Sequence, residues 1–370
     1  MKILHVITGL AKVSGVSTFV GGVGESLCDL GHDVFVATVK GSVDEKDYCL
    51  DARIKVVAVA ELLSSSIRFD VIHIHGIWNW WLHRVSRWAH RKGMPVAWSL
   101  HGMVAPWSLR HKWWKKVLPW LFYQKPDLKS AQLLHVTVPQ EELWVRDLGF
   151  KQTVAVVPLG TALPNEVPPR TRPVKTLLFV GRIYPVKGLD RLVEAWSLIP
   201  KASRQSWQLR LVGPDQAGFM GILKRRISEL GLLWADEPDD AEVVFVGPRF
   251  GIEMDQEYAN CDCLVLPSYT ENFGATVIDA LARKVPCIAS KNTPWKELDE
   301  RGCGWWVEND PKQLAETILR MMSLGDLERA EMGGRGYALV VAKYTWIAVG
   351  AMLEQEYGKI LAGKKNSLKV

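Results

Sequence analysis

Apolar positions fall in two rhythms along the chain. Compact runs of about four to eight residues rich in Val, Ile and Leu alternate with longer stretches whose apolar residues recur every three or four positions. The first pattern reads as buried strand and the second as amphipathic helix. Their alternation predicts parallel sheets with helices on both faces. Residues 2–8 read as a strand, 9–18 as a small-residue loop, 19–30 as a helix stopped at Gly31, and 33–39 as a second strand. Together they form a βαβ unit. Further strands are expected at 68–75, 95–100, 132–138 and 154–158. The Pro-rich stretch 164–173 interrupts the rhythm and reads as an extended linker. The pattern then restarts, with strands at 174–180, 208–212, 243–246, 263–267 and 287–290, and helices from Leu189 and over 275–283, 311–324 and 346–361. A chain of 370 residues is long enough for two full cores. The expected organisation is α/β, with doubly wound, Rossmann-like domains over 1–163 and 174–345 and a terminal helical segment over 346–370.

Candidate chemistry sits where expected strands hand over to helices, the place at which open α/β sheets bind ligands. Ser268-Tyr-Thr-Glu-Asn-Phe-Gly274 presents the carboxylate of Glu271 between a strand and a helix start, and Asp279 follows eight residues on. The helix start at Gly274, Ala275 and Thr276 offers free N–H groups to a phosphate. Gly181-Arg-Ile-Tyr-Pro-Val-Lys-Gly188 delivers Arg182 and Lys187 to another helix start, with Gly181 allowing close backbone approach. That is a phosphate-binding arrangement. In the first half, the loop around Gly15 follows the first strand, and His101-Gly102 follows the strand at 95–100. A histidine there can donate to a hydroxyl or a phosphate oxygen. His73 lies within an apolar run and reads as a core residue. Each site has a plainer alternative: Glu271 as a helix cap, Arg182 and Lys187 as solvated cations, His101 as a structural ring.

These motifs resemble the retaining glycosyltransferases of family 4, which have the GT-B fold of two Rossmann-like domains facing across a cleft. Glu271, Phe273, Gly274 and the downstream acid resemble the family's E-x7-E signature, with Asp279 in place of the second Glu. The Gly181–Gly188 loop resembles its "GR…KG" element, and His101-Gly-Met-Val-Ala-Pro-Trp107 the "HGM…PW" loop of members that build lipopolysaccharide and polysaccharide. Val157-Pro-Leu-Gly-Thr161 stands where relatives have a "PNG" turn, so Leu159 departs from the pattern. The resemblance implies that Glu271 meets the donor sugar and Asp279 the ribose. It further implies that Arg182 and Lys187 grip the diphosphate, that His101 contacts the sugar, and that the Gly15 loop lies near phosphates and acceptor. Val246, with Arg249 and the Thr293-Pro294 loop, would frame the base. Substrate contacts are also expected at Gly181, Phe273, Gly274, Ala275 and Thr276. The terminal helix is expected to cross back to the first domain.

Charge and tryptophan change the picture of the first half. Residues 1–165 carry 19 Lys and Arg against 13 Asp and Glu, whereas 166–370 carry 27 of each. Ten of the 17 Trp precede residue 166. Between residues 107 and 123, helical spacing puts Lys112, Lys115 and Lys116 on one side and Trp113, Trp114, Val117, Leu118 and Leu121 on the other, with Pro119 set to end or kink the helix. A basic helix flanked by Trp is the pattern of contact with an anionic membrane surface. The alternative is a surface helix whose apolar face packs on the sheet. No window approaches ~20 uninterrupted apolar residues, so no membrane span is expected. The six Cys are scattered and read as reduced cytosolic thiols.

The expected activity is therefore metal-independent transfer of a hexose-type sugar, UDP-sugar favoured over GDP-mannose, to a lipid-linked, lipopolysaccharide or exopolysaccharide glycan. No cofactor and no nucleic-acid partner are expected, and Asp239-Asp240 does not have the form of a metal clamp. The expected location is the cytoplasmic face of the inner membrane. Two alternatives remain open on sequence. One is a nucleotide-sugar epimerase or a phosphorylase built from two such domains. The other is a non-catalytic relative that binds glycan or lipid.

Overall fold

The computed structural model describes residues 1–11, 14–39, 50–237 and 241–367. Lys12, Val13, Asp239 and Asp240 lie outside the described residues. The chain divides into two compact units, 1–160 with 346–370, and 161–345. The Pro-rich stretch 164–173 belongs to the second unit.

The first unit is built on seven strands: β1 (Lys2–Ile7), β2 (Asp33–Thr38), β3 (Lys55–Ala58), β4 (Val71–His75), β5 (Val96–Ser99), β6 (Leu133–Val136) and β7 (Thr153–Val156). They pair in parallel in the order β3-β2-β1-β4-β5-β6-β7. The chain reverses its direction of travel between β1 and β4, so the carboxyl ends of these two strands flank the switch point. Alternation along β1 sends Leu4 and Val6 into one core and Ile3 and Ile7 into the other. The second core is closed by the helices Gly15–Asp29 and Trp346–Ser367, which bring Phe19, Val23, Leu27, Val349, Leu353 and Tyr357 against the sheet. The terminal helix thus completes the first unit. Its first residue is wedged against backbone, for a Cβ on Gly22 would come within 2.2 Å of the Trp346 ring and one on Gly160 within 2.4 Å.

The second unit repeats the plan with β8 (Lys175–Val180), β9 (Trp207–Val212), β10 (Trp234–Asp236), β11 (Val243–Gly247), β12 (Cys263–Leu266), β13 (Cys287–Ser290) and β14 (Gly304–Val307), ordered β10-β11-β9-β8-β12-β13-β14. All pairs are parallel. Its switch point lies between β8 and β12.

Three expectations are corrected. The first helix begins at Gly15, not Phe19, because the Ser14 hydroxyl caps it by accepting from the Ser17 N–H at 3.3 Å. Gly15 is therefore a first-turn residue rather than a loop residue. Residues 107–123 do not form one helix. Lys112 has φ 49°, which separates Pro106–Arg110 from Trp114–Pro119, and after Pro119 the backbone widens into a π-helical turn over Trp120–Gln124. A proline nitrogen cannot donate to the preceding turn, and a π turn absorbs the mismatch. Finally, β14 and the helix Asp326–Lys343 were not anticipated.

Candidate active site

The loops after β8 and β12 meet at the switch point of the second sheet. Lys187 Nζ donates to Glu271 Oε1, and the Ser268 hydroxyl donates to the same oxygen at 3.0 Å. Both charged side chains are mostly buried, at 16% and 13% exposure. Backbone geometry brings them together. Gly188 sits at φ 68° directly against β12, where a Cβ would lie 2.0 Å from the Pro267 carbonyl oxygen. Only glycine fits. The Asn309 side-chain amide donates to the same carbonyl at 2.6 Å. On the other side Gly274, at φ 81°, lets the chain pass Leu266 and Trp295, to which an added Cβ would come within 2.7 and 3.1 Å. Phe273 is buried, and its carbonyl accepts from Trp295 Nε1 at 2.6 Å. Ala275 and Thr276 open a helix of seven residues, Ala275–Leu281.

Arg182 reaches from the same loop to Gln216 Oε1 at 2.9 Å and is exposed. Asp279 lies on the following helix, where its Oδ1 accepts from the Thr161 hydroxyl at 2.6 Å. Burial raises its carboxyl above the usual range, opposed by the Thr161 hydrogen bond and the Arg283 charge. Val246 is buried in β11, and Gly247 follows it at φ 77°. Arg249 is drawn into a structural network instead: it pairs with Glu237, which also accepts from buried Arg210 at 2.7 Å. Thr293 turns its hydroxyl to the Ser290 carbonyl at 2.6 Å.

In the first unit His101 follows β5 in a left-handed conformation, φ 49°, with Gly102 at φ 73°. The Gly102 N–H is held by buried Glu141, whose other oxygen accepts from the Thr137 N–H at 3.0 Å. His101 Nε2 lies 3.1 Å from His75 Nδ1.

A model of the glycosyl transferases group 1 family matches residues 174–323, and a glycosyl transferase 4-like domain matches residues 50–160. The chain carries two glycosyltransferase domains and is a glycosyltransferase of the GT-B fold. A D-inositol 3-phosphate glycosyltransferase of Thermobispora bispora is 27% identical over 320 residues, covering 80% of this chain and 71% of that protein. A lipopolysaccharide 1,2-N-acetylglucosaminetransferase of Salmonella typhimurium is 25% identical over 183 residues, covering 49% and 47%. Among solved structures, Anabaena HepE in complex with UDP and glucose superposes with a TM-score of 0.72 at 17% identity, covering 97% of this chain and 99% of that one.

The aromatic segment of the transferase is open to solvent. Trp113, Trp114, Leu118, Leu121 and Phe122 are each more than 60% exposed, so this face does not pack on the sheet. Lys115 lies over the Trp114 ring at 5.0 Å, and Lys116 over Trp78 at 5.7 Å. Lys112 marks the break in the helix. No described helix of the transferase is long and apolar enough to cross a membrane.

Sequence reasoning missed several members of these sites. Ser268 stood within the loop it singled out, one turn ahead of Glu271. Asn309 was out of reach because it follows β14, which was not foreseen. Glu141 was placed on its helix but given no role. A hydrophobic-to-charged change at the helix start after β6 was its only signal.

Proposed function

We propose that this transferase moves a hexose-type sugar from a UDP-sugar, with retention of configuration and without a metal ion, to a hydroxyl of a lipid-linked or lipopolysaccharide-type glycan. The observation that carries the reading is the Lys187–Glu271 pair at the switch point of the second sheet. A departing nucleoside diphosphate gathers negative charge as the glycosidic bond stretches. Lys187 and Arg182 supply fixed positive charge for it. Glu271, held by Ser268 and Lys187, is oriented to accept from a sugar hydroxyl and to offset positive charge at the anomeric carbon. In a retaining displacement the acceptor hydroxyl attacks from the leaving-group face, and its proton passes to the departing phosphate. His101, in the first unit, offers a hydrogen bond to a hydroxyl or phosphate oxygen of its ligand.

UDP as the carrier is favoured by the likeness to HepE, whose structure holds UDP and glucose. A lipopolysaccharide-type acceptor is favoured by the Salmonella relative. The exposed Trp and Lys segment supports work at an anionic membrane surface, as a peripheral protein on the cytoplasmic face of the inner membrane.

The test is a donor panel. UDP-glucose, UDP-galactose, UDP-GlcNAc and GDP-mannose are each incubated with the chain in chelator, and release of nucleoside diphosphate is followed with and without a lipid-linked acceptor. The reading requires release from a UDP-sugar, stimulated by acceptor. Release only with GDP-mannose, or only with added metal, would contradict it.

A further inference from the structure

His101 is the outermost of five imidazoles that the first sheet gathers on one face. Period-two alternation and strand register place His5 beside His73, His75 beside Ser99, and Ser99 beside His135. All but His101 are fully buried. They form two separate chains of hydrogen bonds.

One chain has no freedom. The Val157 carbonyl can only accept, so His135 Nε2–H donates to it at 2.8 Å. His135 Nδ1 must then accept from the Ser99 hydroxyl at 2.5 Å. The Ser99 oxygen accepts from His73 Nε2–H at 2.6 Å, and His73 Nδ1 accepts from the Tyr357 hydroxyl at 2.5 Å. This assignment is that of neutral rings, the form that burial favours at His73 and His135.

The other chain runs toward the surface. His5 Nδ1 lies 2.9 Å from His75 Nε2, and His75 Nδ1 lies 3.1 Å from His101 Nε2. The rings are near parallel, at 22° and 30°. Three neutral imidazoles carry three N–H groups, and the two hydrogen bonds use two of them. The third must sit at one end: His5 Nε2 or His101 Nδ1. His5 Nε2 is buried and has no partner among the described residues. An orphaned buried N–H is rarer in proteins than an unsatisfied buried acceptor. The spare proton therefore belongs at the open end.

We propose that His75, backed by His5, is a positioning residue that locks His101 in its Nδ1–H tautomer, so that His101 meets its ligand as a hydrogen-bond donor and not as a base. Burial, with no carboxylate partner among the described residues, favours the uncharged ring at His5, His75 and His101. Glu141, the acid beside His101, already spends both oxygens on Gly102 and Thr137. A donor suits a sugar hydroxyl oxygen or a phosphate oxygen.

His5, His73 and His75 also bring ring nitrogens within 4.8 Å of one another, a spacing that could hold a metal ion. Two observations oppose that use. Both nitrogens of His73 and of His75 are engaged in hydrogen bonds, and the group contains no carboxylate to offset a buried divalent charge.

The inference rests on the transfer reading only for what His101 donates to. The tautomer itself is read without substrate. The full chain is labelled with 15N-histidine, and long-range proton–nitrogen spectra are recorded near pH 7.5, with His101 assigned by its loss in His101→Ala. We expect a pyrrole-type shift at His101 Nδ1 and a pyridine-type shift at Nε2. His75→Phe should release the lock and yield a mixture of tautomers, with kcat about tenfold lower. His5→Phe keeps the His75–His101 bond and should leave the tautomer unchanged. A wild-type His101 protonated at Nε2, an unchanged Nδ1–H form in His75→Phe, or one tightly held zinc per chain would each overturn the proposal. The wild-type spectrum decides even if His75→Phe fails to fold. An inactive enzyme with the expected spectrum would count against the transfer reading and leave the lock standing.

Discussion

Lys187 Nζ donates to Glu271 Oε1 across the gap between the β8 and β12 loops, joining residues 84 positions apart in the chain. Because Ser268 shares the same carboxylate oxygen, Glu271 is aimed before any ligand arrives. Such preorganisation is worth most in the transition state. Glu271→Gln and Lys187→Ala should each lower kcat/KM for sugar transfer by at least about 10²-fold with little change in Tm, as for loss of one transition-state contact. Steady-state kinetics with calorimetric melting checks this, and wild-type turnover in either variant would remove that residue from the mechanism.

The approach of Gly188 to the Pro267 carbonyl makes a second prediction. Gly188→Ala places a Cβ 2.0 Å from that oxygen, at a φ that disfavours any side chain. The loop must shift, carrying Lys187 with it. Expected are a loss of stability of at least about 2 kcal/mol and weakened UDP binding. By contrast Gly221→Ala, in the helix Phe219–Glu229 with open space around its Cβ, should be neutral or stabilising. Urea unfolding of both variants makes the comparison.

The buried histidines predict the pH dependence of stability. Burial holds His5 and His101 down at about 3 and His135 at about 4, and His73 and His75 also lie well below the usual value of 6.5. Between these values the unfolded chain binds protons that the folded chain refuses. Stability is then constant with respect to these groups above about pH 6.5 and falls as pH drops below it, by up to about 1.4 kcal/mol per pH unit for each ring. Urea midpoints at pH 7.5, 6.0 and 5.0 should decline progressively. A flat profile would show that the rings titrate normally in the fold.

The exposed segment 107–122 should bind membranes. Trp114→Ser combined with Phe122→Ser removes two solvent-facing aromatic groups without touching the core. Cosedimentation with phosphatidylglycerol-containing vesicles should fall several-fold, and Tm should not change. Equal binding by wild type and variant would return this face to an ordinary surface.

Much of the second unit was legible because its chemistry is local. Gly181 to Gly188 and Ser268 to Gly274 are short loops whose glycines mark where strand becomes helix, so type and spacing carry the site. The histidine column was not legible in the same way. Its members come from β1, β4, β6 and the loop after β5, and only the strand order β1-β4-β5-β6 makes them neighbours. The spacing of His73 and His75 by two residues was the one local sign that they share a face. The helix Asp326–Lys343 was hidden by Gly333, Gly334 and Gly336, poor helix formers. Packing overrides that cost: a Cβ on Gly333 would sit 1.8 Å from the Lys284 carbonyl oxygen. Short edge strands such as β3, half exposed to solvent, lack the apolar run that marks a buried strand.

The most direct test of the account is calorimetric titration of UDP into the wild-type chain and Lys187→Ala, in chelator. One UDP per chain should bind without metal, with an affinity at least about tenfold weaker in the variant, as for loss of a charge-assisted contact. Equal affinities, or binding that appears only when a divalent metal is added, would contradict it.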